Sequence, residues 1–135
     1  MRFTLFTQAA LAIPFITGAL ATPTPDGKSP ISEVKRADCS LTVRYNKVWV
    51  ESALDRYRMQ LITNPRNDRH LDVYCDDWRG LVGFTSNKQC FWGDAYYADG
   101  SVAQGPAGHQ AIQDSHNKAC DDFERLTNCR TIREF

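Results

Sequence analysis

Residues 41–61 read LTVRYNKVWVESALDRYRMQL, and how this stretch is divided decides the fold. Leu41-Thr42-Val43-Arg44-Tyr45 alternates apolar and polar residues and is rich in β-branched and aromatic side chains, which predicts a strand. Asn46 can then cap a helix. Val50, Ala53, Leu54, Tyr57 and Leu61 fall at i, i+3, i+4, i+7 and i+11, the spacing of one face of an amphipathic helix. Glu51, Asp55, Arg56 and Arg58 take its other face, and Pro65 stops it.

Working outward, Leu71-Asp72-Val73-Tyr74-Cys75 alternates again and predicts a second strand, followed by a turn at residues 76–80. A third strand is expected over 81–85, resuming over 89–92. Residues 93–108 hold four glycines and a proline and read as a long surface loop. Ile112, His116, Ala119, Phe123 and Leu126 mark a second amphipathic helix, and residues 129–133 a short last strand. The order strand–helix–strand–strand–helix–strand is the split βαβ, ferredoxin-like α+β sandwich: an antiparallel sheet, order 4-1-3-2, with two helices on one face. In element order it resembles the compact α/β sandwiches of fungal killer toxins and of some secreted fungal effectors.

The N-terminal third has a different character. Residues 1–21 carry an early cation, Arg2, then an apolar run over 9–16, and end in Ala19-Leu20-Ala21. That is the pattern of a signal peptide cut after Ala21; the run is too short and too interrupted to span a bilayer. Residues 22–36, TPTPDGKSPISEVKR, hold three prolines and only two large apolar residues, so a disordered pro-region is expected. It ends in Lys35-Arg36, which resembles the cleavage site of the secretory-pathway subtilisin-like convertases of fungi. The mature domain is then 37–135, one domain of 99 residues with 12 lysines and arginines against 14 aspartates and glutamates. This mild acidity excludes the basic field of a general DNA binder, and no cationic amphipathic helix suited to membranes is present.

All five cysteines, Cys39, Cys75, Cys90, Cys120 and Cys129, lie in that part. None has the spacing of a zinc site, so two disulfides and one odd thiol are expected in an oxidising compartment. The 4-1-3-2 order pairs Cys39 with Cys90, and Cys75 with Cys120 or Cys129. The odd cysteine could link two chains in a dimer.

No catalytic motif stands out, and no cofactor or metal is expected. His109 and His116, seven apart on the second helix with Asp114 or Asp121 nearby, are the nearest approach to a metal pair, but His116 lies in the apolar stripe. A ribonuclease would need a base, an acid and a phosphate cation; His70 with Arg69 and Glu51 or Glu124 is the set on offer. The pairs Asp76-Asp77 and Asp121-Asp122 are adjacent in sequence and so diverge in space. The most suggestive feature is FWGDAYYADG, residues 91–100, where Trp92, Tyr96 and Tyr97 offer rigid contact area, with Trp78 a further candidate. No glycosylation sequon occurs in 37–135. The expected activity is non-catalytic binding to a host or competitor protein or glycan, of the effector class. A secreted ribonuclease or a killer-toxin or antimicrobial protein is the alternative.

Overall fold

The computed structural model describes residues 37–135. The expected signal peptide, the pro-region and its Lys35-Arg36 site lie outside the described residues. The elements are β1 (Ser40–Glu51), β2 (Leu54–Asn64), α1 (Asp68–Gly80), β3 (Ser86–Trp92), β4 (Tyr96–Val102), α2 (Pro106–Thr127) and β5 (Arg130–Glu134). The class is α+β, a five-stranded sheet with two helices and two disulfides, but the element order differs from the split βαβ arrangement. The sheet order is β3-β4-β2-β1-β5, antiparallel throughout except for the parallel β1–β5 pair.

Four segments depart from the sequence expectation, and the first is residues 81–85, which form no strand: the strand expected there starts only at Ser86, as β3. Residues 50–61 are not a helix: β1 and β2 form a long hairpin that turns at Ser52 (φ 55°) and Ala53 (φ 65°). Both turn residues adopt the left-handed backbone that tight hairpins require, without the Asn-Gly or Asp-Gly that usually announces it. Tyr57 and Leu61 are four apart, a spacing that suits both a helix and a strand. Met59, 1% exposed between them, settles the period at two. Residues 71–75 belong to α1, whose buried residues Leu71, Tyr74, Cys75 and Trp78 recur at i, i+3, i+4 and i+7. Asn67 starts this helix, its Oδ1 accepting from the amides of Arg69 (3.0 Å) and His70 (3.3 Å). The expected loop over 93–108 contains β4, buried at every position between β3 and β2. Its Ala-Asp-Gly-Ser run has poor strand propensity, and tertiary contact overrides it. A Cβ on Gly100 would lie 3.1 Å from the Trp78 ring and 2.9 Å from Thr85 Cγ2, so only glycine lets α1 lie this close to the sheet.

Leu41, Val43, Tyr57, Met59, Leu61, Ala98 and Val102 project from one sheet face into a single core with Leu71, Tyr74 and Trp78 of α1 and Ile112, Ala119 and Phe123 of α2. Both helices therefore cover that face.

The disulfides are Cys39–Cys129 (Cα–Cα 5.0 Å) and Cys75–Cys90 (6.3 Å), and Cys120 is free. The expected Cys39–Cys90 bridge fails because β4 and β2 separate β3 from β1. Cys39 instead meets Cys129 because each directly precedes the paired residues Ser40 and Arg130 of the parallel edge. Cys75 bonds neither Cys120 nor Cys129; as a helical residue it reaches across to β3. Cys120 is fully buried, and burial pushes its thiol up to about 11. A disulfide-linked dimer through it requires α2 to leave the sheet.

Candidate functional site

The aromatic residues singled out from the sequence do not converge. Strand alternation in β4 sends Tyr96 and Tyr97 to opposite faces of the sheet. Tyr96 packs edge-to-face on Trp92 at 5.1 Å, and Trp92, half exposed on edge strand β3, carries the Arg66 guanidinium at 4.9 Å. Tyr97 lies on the helix-free face and donates to Asp94 (2.7 Å). Trp78 is 0% exposed, stacked on His116 at 4.6 Å, and its Nε1 donates to Ser115 Oγ (3.1 Å). It is a core residue.

The helix-free face is organised around Arg58. Its guanidinium lies 4.9–5.2 Å from the rings of Trp49, Phe91 and Tyr97 and donates to both oxygens of Asp99 (2.8 and 2.7 Å). Buried Arg56 alongside donates to Ser101 Oγ, Gln89 Oε1 and the Asn87 carbonyl, each at 2.9 Å. These groups satisfy one another, so the face is a closed structural network rather than a vacant platform.

The remaining acid–base candidates are also placed by the fold. His116 is fully buried with Tyr74 Oη 2.7 Å from its Nδ1, and burial pulls its pKa down to about 3, so the ring stays neutral. His70 packs against Phe123, with its Nδ1 3.8 Å from Cys129 Sγ. Glu51 accepts from Trp49 Nε1, and Glu124 accepts from Thr131 Oγ1. Among the described residues no group of three or more His, Cys, Asp or Glu can hold a metal ion.

The doublets Asp76-Asp77 and Asp121-Asp122 hide a pair that only the tertiary structure reveals. Asp77 of α1 and Asp122 of α2 come close enough for each carboxyl to influence the other's titration. Lys118 (2.7 Å) and Arg125 (3.0 Å) hold Asp122 ionised and pull it down to about 2. Burial, and then the neighbouring Asp122 carboxylate, raises Asp77. Asp77 Oδ2 is buried with no hydrogen-bond partner among the described residues. An Asp raised in the folded state stabilises below its unfolded value of 3.8, and that contribution is lost as pH rises through the folded value. Asp122 has the opposite sign: its contribution is present above 3.8 and is lost as pH falls toward about 2. Asp77→Asn removes the carboxyl whose proton uptake offsets the loss at Asp122, and is therefore expected to raise stability at pH 7 by about 1 kcal/mol and to steepen the fall in stability toward pH 3. Thermal melts of both proteins between pH 3 and 7 check this; parallel profiles would show that Asp77 takes up no extra proton on folding.

The concavity that meets the requirements of a ligand site is a cleft of about 590 Å³ at the far end of the hairpin. It is walled by Tyr45, Val48, Tyr57 and Met59 of the sheet, by His109, Ile112 and Gln113 of α2, and by Glu134 and Phe135. A β-bulge between Tyr45 and Lys47 builds it: the extra residue turns both Tyr45 and Val48 toward the helix side. On α2, Pro106 follows the Gly105 cap (φ 99°) and starts the helix so that His109 stands over Tyr57. Tyr57 Oη lies 3.1 Å from His109 Nδ1, with the rings 5.6 Å apart. Burial, then Asp55 and Tyr45, raises the Tyr57 phenol, which keeps it protonated. Glu134 is neutralised by Arg44 at 2.6 Å. The cleft is thus a largely apolar trough with one hydrogen-bonded pair, Tyr57 and His109, and no Ser, Cys or Lys lines it. A second depression of about 370 Å³, under residues 81–85, has its Lys88 ammonium already donating to the carbonyls of Trp78 (2.9 Å) and Leu81 (2.7 Å).

The cleft is not legible in the sequence, because the periodicity divides Tyr45, Val48 and Tyr57 between a strand and a helix. The doubled polar pair Asn46-Lys47 between Tyr45 and Val48 is the one signal that a bulged strand leaves. The chain matches no protein-family model, no curated protein and no solved structure.

Proposed function

We propose that this chain is a secreted, disulfide-stabilised protein of the effector type that holds an apolar group of a host or competitor molecule without transforming it. The observation that carries this is the 590 Å³ cleft, largely apolar, with its Tyr57–His109 pair and no Ser, Cys or Lys in its lining. The apolar lining favours a protein over a glycan, whose hydroxyls need more polar partners than the cleft supplies. Two disulfides support an oxidising compartment, and no helix among the described residues is long and apolar enough to cross a membrane.

The fluorescent apolar anion 1-anilinonaphthalene-8-sulfonate serves as the probe. The chain is expected to bind one equivalent. Val48→Lys, at a position 40% exposed, is expected to weaken binding about tenfold with an unchanged circular-dichroism spectrum. Equal affinity in the folded variant would move the site elsewhere.

A further inference from the structure

β5 pairs with only the first part of β1, from Ser40↔Arg130 to Arg44↔Glu134. Beyond that point β1 continues for seven residues, bonded on one side to β2 and, among the described residues, without a strand on the other. After the bulge the open row is Lys47–Glu51, five residues and about 17 Å of backbone. Such a row presents outward N–H and C=O groups at the spacing of a strand, and only another extended backbone satisfies them in series. Side chains alternate along it. Lys47, Trp49 and Glu51 belong to the helix-free face, while Val48 (40% exposed) and Val50 (62% exposed) belong to the cleft side. Glu134 and Phe135, where β5 runs out, are themselves walls of the cleft. A strand continuing the line of β5 would therefore lie along the cleft mouth and direct every second side chain into it.

We infer that the open half of β1 and the cleft form one site that captures an extended peptide of another protein by strand addition, with apolar residues at alternate positions seated among Val48, Tyr57 and Ile112. Main-chain bonds to Lys47–Glu51 supply affinity independent of sequence, and the cleft selects the alternate side chains. This rests on the cleft as the binding site and names the class of molecule that fills it. Isolated apolar ligands leave the β1 row unsatisfied; a peptide strand meets both halves of the site.

A phage library of random linear nonapeptides is the probe, panned against the folded chain and against the reduced, unfolded chain as a control. Enrichment of sequences with apolar residues at i, i+2 and i+4 is expected on the folded chain only. A synthetic peptide from that set should lose at least about tenfold in affinity when two alternate amides are N-methylated, and keep its affinity when the two intervening amides are methylated instead, because a strand bonds through one edge. Val48→Lys and Val50→Lys should each weaken it about as much. The dye titration separates the two readings. If the dye binds the cleft while no peptide is enriched, or while both methylated peptides bind equally, strand addition is overturned and the cleft stands. If Val48→Lys leaves the dye unaffected, the cleft reading itself fails. A concentration-dependent dimer that Val50→Lys abolishes, with no peptide enriched, would give the edge to a second copy of this chain and overturn the inference.

Discussion

Trp78→Ala is expected to destabilise the domain by about 3–5 kcal/mol, a large share of the roughly 5–15 kcal/mol that holds a domain of this size together. The indole is fully buried and stacked on His116, with its Nε1 bonded to Ser115 and its ring closing against Gly100. Truncation opens a cavity between α1 and the sheet that the rigid strand β4 cannot fill, and leaves Ser115 Oγ without the donor it accepts from. Trp92→Ala, by contrast, should cost under about 1 kcal/mol, because that side chain is 52% exposed on an edge strand. Urea unfolding of the two variants, at equal slope, measures the difference. Similar losses would mean that Trp78 is not the keystone its burial implies.

Removing the Cys39–Cys129 bridge by the double change Cys39→Ser and Cys129→Ser is expected to cost about 4–5 kcal/mol, against about 3 kcal/mol for Cys75→Ser with Cys90→Ser. The first bridge closes a loop of sequence separation 90 and the second one of 15, and the longer loop removes more freedom from the unfolded chain. The first bridge also has local work. β5 is five residues long, mostly exposed, and held at the sheet edge by one parallel neighbour. Losing the covalent tie at its start should let it fray before the rest of the domain unfolds. Hydrogen exchange of the β5 amides in the double variant reports this directly. Protection equal to that of the parent would show that the ladder with β1 suffices alone. Because Glu134 and Phe135 wall the cleft, fraying should also weaken dye binding at temperatures where the core remains folded.

Much of the element inventory was legible from local pattern. The strand at residues 41–45, the helix carrying Ile112, His116, Ala119 and Phe123, and the short final strand appear where periodicity placed them. The mistakes share one cause. Residues 50–61 satisfied a helical spacing because Tyr57 and Leu61 fit both periods and the turn at Ser52-Ala53 uses residues that do not advertise positive φ. Residues 71–75 showed alternation because Leu71 and Cys75 are likewise four apart, while the decisive neighbours, Tyr74 and Trp78, complete a helical stripe only when read to residue 78. Strand β4 looked like a loop because its small and acidic residues are chosen for their neighbours: Gly100 for Trp78, and Asp99 for Arg58.

The candidate site was less legible for the same reason. Tyr45, Val48, Tyr57 and His109 are spread from position 45 to position 109 and come together only through a bulge, a hairpin and the packing of a helix. Tyr96 and Tyr97, adjacent in sequence, are separated by the thickness of the sheet.

By itself the sequence determined the α+β class, a cysteine set that yields two bridges and one odd thiol, and an apolar complement sufficient for one core. These follow from composition and local periodicity, which each segment carries alone. The tertiary structure decided the strand order, the identity of the bridges, the Asp77–Asp122 pair and the cleft beside the open edge of β1. Each of those depends on which segments become neighbours, and that is set by the joint burial of all the apolar faces at once rather than by any one of them.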